Sequence, residues 1–131
     1  MARETIIIAK NTHETTLIGV DSSNAAEILQ YVLSDSVNSE FKQIISILKD
    51  NLRNKEKYCK ANVSEKAKNM YEMRFTNNGR NDRIYCQEMT ESQKRVIIMI
   101  ELYQGKKSQE IPKGWKNRIE TMGTYKYEIK K

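Results

Sequence analysis

Met70-Tyr71-Glu72-Met73-Arg74-Phe75, then Asn77-Asn78-Gly79-Arg80, then Arg83-Ile84-Tyr85-Cys86-Gln87 is the stretch that decides the fold. Tyr71, Met73 and Phe75 alternate with Met70, Glu72 and Arg74, which is the two-residue period of a strand. Asn and Gly tolerate positive φ, so Asn77–Arg80 reads as a hairpin turn and Arg83–Gln87 as the returning strand. Pairing across that turn sets the Arg74 and Arg83 strands side by side, about 4.8 Å apart. By parity Arg74 shares a strand face with Glu72, and Arg83 shares one with Tyr85.

Beyond the hairpin, Thr90–Gln93 is a polar turn. Arg95–Tyr103 is the most apolar strand and belongs in the centre of the sheet. Gly105–Glu110 is a loop. Pro112 suits the first position of a helix, where its missing N–H costs nothing. Trp115, Ile119 and Met122 fall on one face of that helix, and Gly123 is expected to end it in the left-handed conformation. Tyr125–Ile129 is a last short strand or a tail.

Ahead of the hairpin, Arg53–Asn69 reads as a basic polar connector. Further upstream the period is 3.6. Phe41, Ile44, Ile45, Leu48 and Leu52 make one helical stripe, and Ala25, Ile28, Leu29, Val32 and Leu33 make another. Asn24 and Glu27 have the spacing of a capping box for the first of these helices. Thr5–Ala9 and Leu17–Val20 read as short strands, with Thr5–Ala9 an exposed edge. The order β(β)–α–α–β–β–β–α(–β) gives an α+β domain over residues 1–131, with helices packed on one side of an antiparallel sheet.

Composition narrows the function classes. Apolar residues make up 38% and charged residues 31% of 131, enough for one modest core. The longest apolar run, Val96–Ile100, is far short of the roughly 20 residues that span a bilayer. Met1–Glu4 carries no signal-peptide apolar region. Residues 1–52 hold 4 basic and 7 acidic side chains, whereas residues 53–131 hold 19 basic and 10 acidic. That asymmetry suggests a polyanion-binding surface in the second half. Cys59 and Cys86 form no metal-ligand pattern and read as free thiols in a reducing compartment, and the single histidine, His13, sits in a polar turn. Phosphate-binding glycine loops, nucleophile elbows and zinc-protease motifs are absent.

The remaining chemistry is cationic. Arg74, Arg80 and Arg83 lie on the hairpin, Lys106 and Lys107 follow the central strand, and Tyr71, Tyr85 and Tyr103 are interleaved with them. Cations neutralise phosphates and tyrosines offer stacking faces to unpaired bases, so the set suits RNA. Spacing alone leaves the alternative that the arginines are solvent-side strand residues and the tyrosines half-buried core.

The hairpin quoted above resembles that of RelE/HigB-type toxins, especially the phage-derived HigB-like branch. Gln104-Gly105-Lys106-Lys107-Ser108-Gln109-Glu110-Ile111-Pro112 is similar to the Lys-Lys segment that precedes a helix in that branch. The motif resemblance covers roughly Lys55–Met122, and the element layout extends it over most of the chain. It implies a RelE-like fold and the toxin of a toxin-antitoxin system, a cytoplasmic, metal-free mRNA interferase without cofactors. Such an endoribonuclease acts on the ribosome, where the mRNA 2′-OH attacks the adjacent phosphate. The implied partners are mRNA, the ribosome and a cognate antitoxin, expected to be a helix-turn-helix protein, with no membrane.

Carried over by position, Arg74, Arg83 and Lys107 match basic site residues, with Lys106, Glu72 and Tyr85 beside them. Arg80, Lys60, Lys57 and Gln109 are the expected RNA contacts. Glu72 stands where some relatives have a catalytic lysine, and Glu101-Leu102 replaces a His-Gly pair. Arginine stays protonated and cannot act as the base, so the base falls to Lys106, Lys107 or Glu72, or the enzyme is weak. Two other classes fit the same fold: a non-catalytic RNA- or ribosome-binding protein, and a phage or mobile-element interaction protein.

Overall fold

The computed structural model describes residues 2–52, 54–105 and 113–130. The strands are β1 Arg3–Lys10, β2 Thr16–Asp21, β3 Tyr58–Lys60, β4 Met70–Phe75, β5 Asp82–Glu91, β6 Lys94–Tyr103 and β7 Tyr127–Lys130. The helices are α1 Ala25–Val32, α2 Asn38–Lys49 and α3 Lys113–Gly123. Among the described residues seven strands join one sheet in the order β3-β4-β5-β6-β2-β1-β7, which puts β6 at its centre. No helix among the described residues is long and apolar enough to cross a membrane.

The α+β class holds, and two expectations change. The sheet is mixed, because β2 runs parallel to β6 and β7 runs parallel to β1. Side-chain alternation specifies which face is buried, not the direction of the neighbouring strand. The helices also cover both faces. α1 and α2 bury Ile28, Val32, Ile44 and Leu48 against Ile18, Val20, Met73, Phe75, Ile84, Ile97 and Met99. α3 places Ile119 and Met122 with Leu17, Met70, Tyr85, Val96, Ile98 and Ile100 on the other face. Val96–Ile100 is apolar at every position, and a strand buried on both faces needs cover on both.

The hairpin forms as read. β4 pairs antiparallel with β5, and Asn78 and Gly79 take φ of 61° and 75° in the turn between them. The β5–β6 turn does the same with Ser92 and Gln93, at 51° and 66°. The segment Arg53–Asn69 is more than a connector, since it holds β3 and a short helical turn, Glu65–Ala67. Three residues carry too little pattern to announce a strand, and β3 exists through its pairing with β4. β7 pairs with Arg3–Ile6, so β7 and not β1 is the last strand of the sheet, and only the first half of Thr5–Ala9 is covered.

Local details differ where tertiary partners outbid local ones. The Asn24 side chain does not cap α1 but donates from Nδ2 to the Ile100 carbonyl at 2.6 Å. Leu33 and Leu52 lie beyond the ends of α1 and α2 and are exposed. Gly123 is not in the left-handed region, and its use is space: a Cβ there would come within 3.0 Å of Asn69 Oδ1. Pro112 lies outside the described residues.

Two buried carboxylates tie the layers together. Glu40 on α2 accepts from Lys57 Nζ at 2.5 Å and from the Thr76 and Asn77 backbone N–H groups, which fixes the hairpin turn to the helix layer. Asp21 accepts from Arg3 Nε, the Tyr127 hydroxyl and the Ser23 N–H, which holds β1, β2 and β7 together. Burial pushes the Asp21 carboxyl up, but those hydrogen bonds outweigh it and leave its pKa below the ordinary value.

Leu48→Ala is expected to cost about 2–5 kcal/mol in chemical denaturation, because Leu48 is 1% exposed in the α2 layer. Asp21 contributes stability above its unfolded pKa of about 3.9, and that contribution is lost as pH falls through its lower folded value. Wild type should therefore lose more stability between about pH 6 and pH 3 than Asp21→Asn does, measured by urea unfolding at each pH.

Candidate functional site

Strand pairing builds the site as two neighbouring rows across the sheet. One row is Cys59, Glu72, Tyr85 and Glu101, on β3, β4, β5 and β6. The next is Arg74, Arg83 and Tyr103, on β4, β5 and β6. Directly paired residues share a face, so both rows look toward the α3 side of the sheet.

The register shift between Tyr85 and Cys86 makes this possible. Tyr85 pairs with Glu101 while Cys86 pairs with Met99, so Ile100 is an extra residue on β6. Strict alternation would put Leu102 on the α3 face with Val96, Ile98 and Ile100. The bulge reverses the parity beyond Ile100, sending Glu101 and Tyr103 to the site face and Leu102 to the opposite core.

Glu72 is the hub. Its Oε1 accepts from Arg74 Nε at 2.8 Å, lies 3.5 Å from Arg83 Nε, and takes a weaker contact from Cys59 Sγ at 3.8 Å. Glu72 and Arg83 side chains are each 3% exposed, while Arg74 is 29% exposed and reaches the surface. Arg83 Nη1 donates to the Asp82 carbonyl, and Arg83 Nε makes no hydrogen bond among the described residues. Two guanidiniums against one carboxylate leave a net positive charge and more N–H donors than Glu72 can take. Burial works against the charge on Arg74, and the bond to Glu72 more than restores it, so the Arg74 pKa is raised. Burial and then the Glu72 charge push the Cys59 thiol up as well.

α3 walls this cluster with Trp115. Its ring lies 5.5 Å from Tyr85 and meets Tyr103 edge-on at 4.5 Å. Arg118 covers Trp115 at 4.3 Å and pairs with Glu101. Tyr85 is fully buried here, and burial, then Glu72, raises its hydroxyl pKa. It packs the site and presents no stacking face to a base.

Tyr71 is on the opposite face, stacked at 5.3 Å on Tyr58, so it does not join Arg74 and Arg83. Lys57 is buried on Glu40 rather than offered to RNA. Lys60 is exposed on the edge strand. Arg80 reaches back to the Asn77 carbonyl and lies 3.9 Å from Asp82. Lys106, Lys107 and Gln109 lie outside the described residues.

Sequence reasoning missed Asp82, Cys59 and the site role of Trp115. Asp82 accepts from Tyr31 Oη at 2.6 Å and from the Gly105 N–H at 2.7 Å, so the end of β6 is anchored beside the start of β5. Gly105 takes φ of 73° there. Cys59 could not have been found before β3 was known. Trp115 was visible only as an apolar helix position. Among the described residues no cluster of His, Cys, Asp or Glu is arranged to hold a metal.

A scan against protein-family models gives no match, and neither do searches of curated proteins and of solved structures.

Removing one partner from a buried charge cluster costs about 3–5 kcal/mol. Glu72→Gln is therefore expected to lose stability on that scale, with part regained in the Glu72→Gln, Arg83→Met double variant. Urea denaturation of the two variants checks this, and an unchanged midpoint for Glu72→Gln would contradict the hub role.

Proposed function

We propose that the protein is the toxin of a toxin-antitoxin system, a ribosome-dependent mRNA endonuclease with a RelE-like arrangement. The observation that carries this reading is the excess of guanidinium donors over acceptors at Arg74, Glu72 and Arg83. A buried cluster with surplus positive charge and an unsatisfied Arg83 Nε suits a phosphodiester, whose charge grows as a 2′-OH adds to phosphorus. In this reading the 2′-oxygen forms a bond to phosphorus and the 5′-oxygen leaves with a proton. Arg74 and Arg83 stabilise the charge between those events. Glu72 is then a positioning residue, because its Oε1 is engaged by both guanidiniums, and the base falls to Lys106 or Lys107.

The clamped state of Glu72 also favours a second reading, a protein that binds RNA or the ribosome without cutting it. The two separate on one assay. Induced expression in a bacterial host should arrest growth and fragment ribosome-bound mRNA, with rescue by a helix-turn-helix protein encoded next to it. Arg74→Ala should lower single-turnover cleavage by about 10²–10³ and leave the fold intact, since Arg74 is partly exposed. Arg83→Lys, which keeps the buried charge but not the forked donors, should do the same. Growth arrest without mRNA cleavage would favour the binding protein, and full activity in Arg74→Ala would overturn the assigned site.

A further inference from the structure

A groove of about 730 Å³ runs beside the edge strand β3. Lys55, Lys60, Arg74 and Arg95 line it, the tyrosines Tyr58 and Tyr71 form part of its wall, and no acidic residue lines it among the described residues. Arg74 is one link, because it lines this groove and also donates to Glu72 at the site. Cys59 does the same more weakly, so the groove is continuous with the cluster through two side chains.

Its floor is rigid. Glu88 receives Arg95 Nε and Nη2 at 3.1 and 2.7 Å, and the Tyr58 hydroxyl at 2.5 Å. Burial, first of all, raises the Tyr58 pKa and keeps it a donor in that network. Tyr58 stacks within 5° of parallel on half-buried Tyr71. Arg95 is thus neutralised by Glu88, whereas Lys55 and Lys60 are exposed. The exposed lysines sit at the rim and the paired Arg95 at the floor, which is the layout of a track for a charged backbone.

We propose that this groove holds the single-stranded RNA flanking the scissile phosphate, with Lys55 and Lys60 on backbone phosphates and Arg74 handing the strand to Arg83. The proposal rests on the endonuclease reading for the identity of the strand. An acidic peptide is the competing occupant. The groove favours RNA over it because, among the described residues, Leu52 is its one large aliphatic side chain, leaving little for a peptide's apolar anchors. A strand-adding peptide would also find only three residues of β3 to pair with.

The test uses the full chain and a fluorescent single-stranded RNA oligonucleotide with 2′-O-methyl groups, which cannot be cut by 2′-OH attack. Lys55→Glu with Lys60→Glu is expected to weaken binding on the order of tenfold and to flatten the salt dependence. Loss of two phosphate contacts lowers the log–log slope by about 1.4. Lys10→Glu with Lys42→Glu, outside the groove, should leave both unchanged. On ribosomes the groove variant should raise KM more than it lowers kcat. Equal binding by wild type and the groove variant overturns the proposal, as does a loss matched by the Lys10/Lys42 control. Groove-dependent binding of a poly-glutamate peptide in place of the RNA overturns it in favour of a protein partner. Groove-dependent RNA binding by a protein that never cuts mRNA supports the groove and overturns the endonuclease reading instead.

Discussion

Burial of β6 on both faces is the constraint on which the rest of the molecule depends. Val96 through Ile100 has no exposed side chain, so the sheet must be covered twice. α1 and α2 supply one cover and α3 the other. At about 1.5–3 kcal/mol for each fully buried large aliphatic side chain, five consecutive positions anchor the fold more firmly than any ion pair on it. The hairpin, the β1–β2 pair and the C-terminal strand are all added outward from this strand.

The same strand controls the polar site. The extra residue at Ile100 makes Glu101 and Tyr103 change face, and the Asn24 side chain satisfies the Ile100 carbonyl at that point. A bulge that re-aims side chains beside a polar cluster is a recurrent use of this irregularity. Here it brings Tyr103 level with Arg83 and lets Glu101 hold Arg118, which in turn covers Trp115. The site is thus a consequence of where β6 loses its register.

Electrostatics divides between structural and unbalanced clusters. Asp21 with Arg3, Glu40 with Lys57, and Glu88 with Arg95 are each one carboxylate against one cation, and each joins separate elements. Glu72 is different, since two guanidiniums meet it on adjacent strands. A buried pair that is matched has little left for a ligand, while an unmatched one retains both charge and donors. That contrast, more than the number of lysines, distinguishes the Arg83 region from the rest of a basic surface.

The β4–β5 hairpin, the two helical stripes and the central place of Arg95–Tyr103 were legible in the chain, because each follows from local period and turn chemistry. Also legible was that Arg74 and Glu72 share a strand face, as do Arg83 and Tyr85, since parity within a strand is fixed by the pleat. The neighbours of each element came from long-range packing. β3 formed because β4 was there to pair with it, β7 paired along the first half of β1, and α3 crossed to the second face because β6 required it. Lys57 reads in sequence like any other lysine of its segment, and it is buried because Glu40 arrives from a distant helix. The bulge at Ile100 left no mark in the pattern Val96-Ile97-Ile98-Met99-Ile100, where every residue is apolar and either register reads the same. Which face Glu101, Leu102 and Tyr103 would take was therefore a matter of cross-strand pairing, which no local pattern encodes.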